Sequence, residues 1–108
     1  MLETLIAAKD LIKDKKNWCR VNRAQNKKGQ YVDPWHRSAC QFCAVGAVQK
    51  VANYDNNIYT SPEVVLLNNV SRQIFGRAVF MVNDEYGHDE VMQVFDKAIE
   101  KLKENESV

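Results

Sequence analysis

The residues best suited to chemistry in this 108-residue chain are its three cysteines and two histidines. His36, Cys40 and Cys43 lie at intervals that would place them on one face of a continuous helix. Cys19 could then complete a tetrahedral Cys3His zinc site. Against this, no turn-forming residues separate Cys40 from Cys43, as a zinc knuckle requires. We therefore predict no metal and no cofactor, keep this zinc set as an alternative, and interpret the cysteines as small buried side chains.

Nucleophilic catalysis is a second interpretation of the same thiols. Cys43 would be the nucleophile and His36 or His88 its base, with the base oriented by Asp84 in the manner of a triad. The sequence places Cys43 in the middle of an apolar helix, however, and not at a helix N-terminus, where the macrodipole would lower its pKa. We predict no catalysis, and a small enzyme with a site around Cys43, Asn83 and Asp84 remains an alternative.

The Asn83-Asp84 pair directly follows a short apolar run, residues 78–82. In one interpretation the pair lies with Cys43 on the floor of a cleft and binds a ligand or a metal ion. In the other, the two short side chains hydrogen-bond backbone groups of the turn and of the next helix, as Asx residues commonly do. The second interpretation is favoured, because a short polar side chain is well suited to end an apolar run.

Charge is distributed unevenly along the chain. Residues 1–54 carry ten Lys/Arg and four Asp/Glu, whereas residues 55–108 carry five and ten, although the net charge is only +1. From this asymmetry we predict a face that binds a partner, most simply a protein, and it consists of Arg20, Arg23, Lys27, Lys28 and Trp35. The competing interpretation is ordinary solvated surface, which is what most charge runs are.

Direct binding of nucleic acid is a further alternative for the same segment. Trp18, Trp35, Tyr31 and Tyr54 are interleaved with basic residues that include Arg37. Such a pattern could stack bases and neutralise phosphates. The isoelectric point near 7.7 is low for a dedicated nucleic-acid binder. We expect Trp18 to lie in the core.

Apolar residues at helical spacing predict four helices, over residues 2 to about 16, 37–53, 60 or 61 to about 75, and 88 to about 103. A turn over residues 26–29 predicts a small β-hairpin or extended loop between the first two helices, within residues 18–35. Residues 78–82 form either a strand or more helix, and residues 83–87 a turn. The fold class is mainly α (α+β), a compact four-helix domain spanning residues 1–108 with an ordered core over about 2–103.

The second predicted helix is apolar on nearly all sides, which is typical of a helix at the centre of a domain. Ala39, Cys43, Gly46 and Ala47 give it a stripe of small side chains. Glycine inside a helix costs ~1 kcal/mol relative to alanine. We therefore expect another backbone to pack closely against Gly46, either near Trp18 or from the last helix.

The chain resembles a family of small bacterial and phage proteins known only as a domain of unknown function. The resemblance rests on Trp18-Cys19, the run from Cys43 to Ala47, and Asn83-Asp84, and it covers residues 2–102. The chain departs from that family at Val82, where tryptophan is common, and at His88-Asp89, where threonine is frequent, so a role for an aromatic side chain beside the Asn-Asp pair does not carry over from the resemblance. It implies a compact, mainly helical domain and a phage or mobile-element origin, but no activity.

Composition excludes a membrane role. No apolar run approaches the ~20 residues that span a bilayer. Charged residues interrupt the first sixteen positions, so no signal-peptide h-region is predicted. We predict a cytoplasmic protein, in which thiols normally stay reduced, and the odd number of cysteines argues against a disulfide framework. The function we predict is that of a small soluble accessory protein that binds a macromolecular partner through its basic hairpin face.

Overall fold

The computed structural model describes residues 1–53 and 57–106, and of Glu106 only the backbone. Within these residues the helices are α1 (Leu2–Ile12), α2 (Ala44–Ala52), α3 (Pro62–Phe75), the short α4 (Val79–Met81) and α5 (His88–Glu106). Two antiparallel strands, β1 (Ala24–Gln25) and β2 (Gln41–Phe42), form the sheet. The predicted class, mainly α with a small β element between the first two long helices, is confirmed. None of the described helices is both long enough and apolar enough to cross a bilayer.

Helix α2 lies at the centre of the core, as its all-round apolar sequence predicts. Every residue from Ala44 to Gln49 is buried. Helix α1 packs against α2 and α5, and α3 packs against α5. Most of each predicted apolar stripe is buried: Leu5, Ala8 and Ile12 in α1, Val64, Leu67 and Val70 in α3, and Val91, Val94, Phe95 and Ala98 in α5. Ile6 and Ile74, which helical spacing assigns to the stripes of α1 and α3, are exposed instead. Burial of these stripes is the main favourable contribution to folding, at about 25 cal/mol per Å² of apolar surface.

The start of α2 differs from the prediction by seven residues, because the helix begins at Ala44 and not at Arg37. Tertiary hydrogen bonds hold the preceding segment extended. The backbone N–H of Cys40 donates to the Gln25 carbonyl at 3.0 Å, and that of Cys43 donates to the Arg23 carbonyl at 3.1 Å. A segment bonded to β1 in this way cannot also form the first turns of a helix. Cys43 is consequently the N-cap of α2, with extended φ and ψ of −80° and 177°.

The turn predicted within the hairpin is present. The N–H of Gly29 donates to the Asn26 carbonyl at 3.0 Å, and Gly29 has the positive φ, 76°, that such a turn favours. The returning arm, however, makes only a single bridge, between Gln25 and Tyr31. The regular partner of β1 is β2, in the register Ala24 opposite Phe42. The hairpin is therefore a small part of a sheet that is completed by the residues leading into α2.

Helix α3 begins and ends as predicted. The Ser61 hydroxyl accepts from the Val64 N–H at 3.3 Å, Pro62 occupies the first helical position, and Gly76 ends the helix in the left-handed region. The other helix ends differ from the predictions. Helix α1 stops at Ile12 and is followed by a 3-10 turn over Lys15–Asn17, and α5 continues to Glu106.

The segment that the sequence left open as strand or helix is helical. Helix α4 runs directly into a π-helical turn over Val82–Tyr86, which replaces the simple turn predicted for residues 83–87. A π-turn widens the helix by one residue and frequently marks a functional or structurally demanding position. Here it brings two successive side chains, Asn83 and Asp84, towards the segment that follows α1.

Gly46 makes the close backbone contact that the small-residue stripe predicts, but with a different partner. A Cβ atom at this position would lie 1.8 Å from the carbonyl oxygen of Arg23, which is neither Trp18 nor the last helix. The same carbonyl accepts the Cys43 N–H. Because rigid backbone occupies the space, no side-chain rearrangement could make room for a methyl group.

We expect Gly46→Ala to lower the free energy of unfolding by about 3 kcal/mol or more, because the added methyl forces β1 away from α2. Urea denaturation followed by circular dichroism measures this loss. Gly29→Ala is the matched control, since a Cβ atom there meets nothing within 4 Å and the change adds only the cost of a positive φ, about 1–2 kcal/mol. An equal or smaller loss for Gly46→Ala would contradict the close contact.

Candidate functional site

The amide of Asn83 joins three separate parts of the chain. Its side chain is completely buried. The Oδ1 atom accepts from the Trp18 indole N–H at 2.7 Å and from the Ala44 backbone N–H at 3.0 Å. The Nδ2 atom donates to the Cys19 carbonyl at 3.1 Å and to Asp84 Oδ1 at 3.0 Å. All hydrogen-bonding positions of the amide are thus used. Asp84 is its neighbour in the turn, but the other three partners lie in the segment after α1 and at the start of α2, whereas we expected backbone groups of the turn and of the next helix.

Asp84 holds a strained turn after Trp18. Its Oδ1 atom accepts from the Val21 N–H at 2.8 Å. The Asn22 N–H donates to the Arg20 carbonyl at 2.8 Å, and Val21 between them has a φ of 73°, so the three residues form a γ-turn of the rare positive-φ type. A β-branched residue is especially unfavourable in this conformation. Val21 nevertheless points into solvent, with 80% of its surface exposed.

Trp18 is in the core, as predicted, with 8% of its surface exposed. The Arg20 guanidinium lies over its ring, 5.2 Å from the centroid, and also donates to the Tyr86 carbonyl at 3.0 Å. The His88 ring meets Trp18 edge to face at 5.5 Å, and its Nε2 atom donates to the Ile12 carbonyl at 2.7 Å. The indole is thus fixed by contacts with Arg20 and His88 and by the hydrogen bond from its nitrogen to Asn83.

Cys43 lies at a helix N-terminus, so the expectation of a mid-helix position is wrong. Its Sγ atom accepts from the Gly46 N–H at 3.3 Å. Burial nevertheless outweighs this contact and raises the pKa of Cys43 to about 11. Burial likewise raises the pKa of Cys19 to about 12. Both thiols are therefore protonated at neutral pH and lack the thiolate character of a nucleophile.

Neither histidine is in position to act as a base for Cys43. His36 lies in an exposed turn, where its Nδ1 atom accepts from the Ser38 N–H at 3.1 Å and meets the Ser38 hydroxyl at 2.8 Å. His88 donates to the Ile12 carbonyl. The hypothetical triad is therefore not assembled. Cys43 accepts from the Gly46 N–H, Asp84 accepts from the Val21 N–H and from Asn83, and the two imidazoles bond to Ser38 and to the Ile12 carbonyl.

The alternative zinc set is not assembled either. Its spacing argument required a continuous helix from His36 to Cys43, and this segment is a turn followed by a strand. The described residues contain no group of three or more His, Cys, Asp or Glu side chains that could hold a metal ion. The three cysteines carry free thiols, with Cys19 and Cys43 buried and Cys40 half-buried.

The residues predicted for a partner-binding face separate into four places. Arg20 covers Trp18, as described above. Arg23 lies over the Tyr59 ring at 5.5 Å from its centroid. Lys27 and Lys28 lie in the hairpin turn and line an open cleft of about 390 Å³. Trp35, in the turn after Pro34, is 44% exposed. Tyr54 lies outside the described residues.

The cleft has a third cation that the predicted face did not include. Arg37 lines it from the segment before β2, together with the neutral residues Asn26, Gln30, Ser38, Ala39 and Cys40. Its place in the cleft follows from the late start of α2, since Arg37 would otherwise belong to a central helix. No carboxylate is among the lining residues. In the parts of the chain that the structure describes, no carboxylate forms an ion pair with Lys27, Lys28 or Arg37.

A larger groove, of about 620 Å³, lies between α1 and α5 and has a different character. Ile6 and Ile99 contribute its apolar surface, and its charged residues are of both signs. Two of them, Lys9 and Asp96, form an ion pair with each other. Four acidic side chains line this groove against two lysines, so it is acidic overall, in contrast to the uniformly basic cleft.

The amino-acid sequence of the chain was compared with models of known protein families. The model of a family of unknown function, DUF6197, matches residues 1–101. The chain belongs to DUF6197. The match spans α1 to most of α5 and so includes both the Asn83 junction and the basic cleft of this DUF6197 member. Comparisons with curated proteins and with solved structures gave no significant match.

Removal of the Asn83 amide tests whether it joins the three segments. Asn83→Ala leaves the Trp18 indole N–H, the Ala44 N–H and the Cys19 carbonyl buried without their partner, and we expect a loss of about 3 kcal/mol or more in the free energy of unfolding. Asn68→Ala is the control, because Asn68 Oδ1 accepts one partly buried bond, from the Val79 N–H, and its loss should cost about 1 kcal/mol. Urea denaturation monitored by tryptophan fluorescence measures both, and equal losses would argue against the junction.

Alkylation measures the state of the thiols. At mildly alkaline pH we expect iodoacetamide to modify Cys40 in the folded protein, whereas Cys19 and Cys43 react at least about tenfold more slowly than in urea, because they are buried and protonated. Mass spectrometry of peptides from the folded and the unfolded protein gives the three rates. Rapid modification of folded Cys43 would contradict its assignment as an inert cap.

Proposed function

We propose that this protein is a small accessory protein that binds an acidic partner protein through its basic cleft. The observation that carries the proposal is the set of three cations, Lys27, Lys28 and Arg37, on one concave surface without a carboxylate among the lining residues. Uncompensated charge of one sign in a cleft attracts opposite charge and raises its association rate. An acidic partner would supply the carboxylates that the cleft lacks.

Exposed aromatic side chains support a protein as the partner. Trp35 and Tyr31 lie in the stretch of chain that connects the two groups of cleft residues, 26–30 and 37–40, and are 44% and 56% exposed. Tryptophan, tyrosine and arginine are the residue types enriched at the energetic centres of protein interfaces. The net charge of only +1 favours recognition of a local acidic patch over the broad attraction that nucleic-acid binders need.

The proposal retains Lys27, Lys28 and Trp35 from the predicted face and adds Arg37. Arg20 and Arg23 have structural contacts with Trp18 and Tyr59 and so contribute little to a movable binding surface. The proposed setting is the cytoplasm, where the three free thiols would stay reduced. A phage or mobile-element origin is part of the same proposal and is supported by the resemblance described above.

A labelled poly-glutamate peptide tests the proposal by fluorescence anisotropy at low and at physiological salt. Lys27→Glu/Lys28→Glu should weaken binding by about tenfold or more, because two attractive charges become repulsive ones beside Arg37. Lys13→Glu/Lys15→Glu has the same net charge but changes exposed residues outside the cleft. This control should bind nearly as well as the original protein.

The same titration has two outcomes that would overturn the proposal. Equal weakening by the two double variants would mean that only net charge matters. Tighter binding of a single-stranded oligonucleotide than of poly-glutamate, with a steep fall as salt rises, would make nucleic acid the ligand.

A further inference from the structure

We infer that the basic cleft recognises a phosphomonoester, that is, one phosphorylated side chain of the acidic partner. The inference rests on the proposed function and narrows its ligand from acidic surface in general to a single dianionic group. Three features of the cleft carry it: its charge, the rigidity of its two walls, and its size.

The charge of the cleft fits a dianion better than a single carboxylate. Lys27, Lys28 and Arg37 bring three positive charges, and the lining contains no negative one. A phosphorylated side chain carries a charge of about −1.5 to −2 at neutral pH and offers three strong acceptor oxygens. A guanidinium can bind two such oxygens side by side, and lysines act as point charges on the others.

A neutral donor adds to the three cations. The Oε1 atom of Gln30 accepts from Asn26 Nδ2 at 3.1 Å, which fixes the orientation of the Gln30 amide. Its Nε2 group has no acceptor among the described residues, although Gln30 lines the cleft. The cleft is thus rich in donors and has a donor left for a ligand with several acceptor oxygens.

The first wall of the cleft is a rigid turn built around Asn26. Asn26 Oδ1 accepts from the backbone N–H groups of both Lys28 and Gln30, each at 3.0 Å, and the Asn26 N–H donates to the Gln30 carbonyl at 2.9 Å. The backbone that carries the two lysines is therefore fixed before a ligand arrives. Because this backbone loses little conformational freedom on binding, less affinity is spent on ordering it.

The second wall, which carries Arg37, is fixed in a similar way. The His36 N–H donates to the Asp33 carbonyl at 2.9 Å, and the Ala39 N–H donates to the His36 carbonyl at 3.0 Å. The next residue, Cys40, is tied to β1 by its bond to the Gln25 carbonyl. Two hydrogen-bonded turns, residues 26–30 and 33–39, thus line the same cavity.

The size of the cavity fits one side chain. At about 390 Å³ it is near the lower end of small-ligand pockets, a size that suits one phosphorylated side chain. Ala39 and Cys40 provide an apolar part, against which the carbon atoms of a phosphorylated serine can pack. Capture of a phosphorylated residue by clustered cations is an established mode of peptide recognition.

Three glycine-rich pentapeptides that differ only at the central residue test the inference. The central residue is serine, glutamate or phosphoserine, and binding to the full chain is followed by NMR chemical-shift titration. We expect the phosphoserine peptide to bind about tenfold or more tightly than the glutamate peptide, because its second charge and third oxygen are used, and the serine peptide not to bind measurably. Shifts should be concentrated at residues 26–30 and 36–40.

Variants at the cleft locate the binding. Lys27→Gln/Lys28→Gln and Arg37→Gln should each weaken phosphoserine binding by about tenfold, whereas Lys13→Gln/Lys15→Gln should leave it within about twofold of the original. These residues are all exposed, so the variants should keep the thermal transition of the original protein, which circular dichroism verifies.

Three results would overturn the inference. These are equal affinity for the phosphoserine and glutamate peptides, phosphoserine binding that survives the cleft substitutions, and tighter binding of an oligonucleotide phosphodiester than of the phosphoserine peptide. If poly-glutamate binding depends on Lys27 and Lys28 while phosphoserine gives no advantage, the proposed function stands and the phosphate inference fails. If phosphoserine binds in the cleft and poly-glutamate does not bind at all, the inference stands and general recognition of acidic surface fails.

Discussion

The buried amide of Asn83 is the constraint on which the arrangement of the chain depends. It accepts from the Trp18 indole and the Ala44 N–H, and it donates to the Cys19 carbonyl. A buried amide is stabilising only if all of its partners are present, because each missing partner leaves an unsatisfied polar group. The segment after α1, the start of α2 and the π-turn before α5 must therefore form together, and this favours one packing arrangement over other compact ones.

That requirement also explains why a basic cleft forms. Asn83 hydrogen-bonds the first residue of α2, Ala44, and Gly46 packs directly against the Arg23 carbonyl. Because both contacts fix the start of α2, the residues before it remain extended beside β1. The chain between the two strands must then leave the core and return, and its two braced turns carry Lys27, Lys28 and Arg37. The cleft thus results from the packing of α2 in the core, although none of the residues that line the cleft belongs to the core itself.

Sequence alone predicted the features that depend on local interactions. The Ser61-Pro62 start and Gly76 end of α3 require only neighbouring backbone groups, and the apolar stripes of α1, α3 and α5 follow helical periodicity. The start of α2 could not be predicted in the same way. The apolar run up to Cys43 is compatible with a helix, and only hydrogen bonds to Arg23 and Gln25, distant in sequence, make it a strand. The expected mid-helix position of Cys43 and the helical spacing on which the alternative zinc set depended both follow from this one boundary.

The candidate site was predicted in part for a related reason. Lys27 and Lys28 flank a turn that their neighbours Asn26 and Gly29 reveal, so their exposure could be read from sequence. Arg20 and Arg23 belong to the same charge run, but each lies over an aromatic ring that only the folded chain brings close. Charge density along a sequence does not distinguish a cation that stabilises the core surface from one that is free to meet a ligand.

The γ-turn at Val21 identifies a position where this protein could be made more stable. Its side chain faces water and contributes nothing to the core, yet its backbone has a conformation that suits glycine far better. The fold accommodates the mismatch because Asp84 and the Arg20 carbonyl hold the turn from both ends. A substitution of Val21 by glycine would therefore remove an unfavourable backbone conformation at a solvent-exposed position, and no buried side-chain contact would be lost.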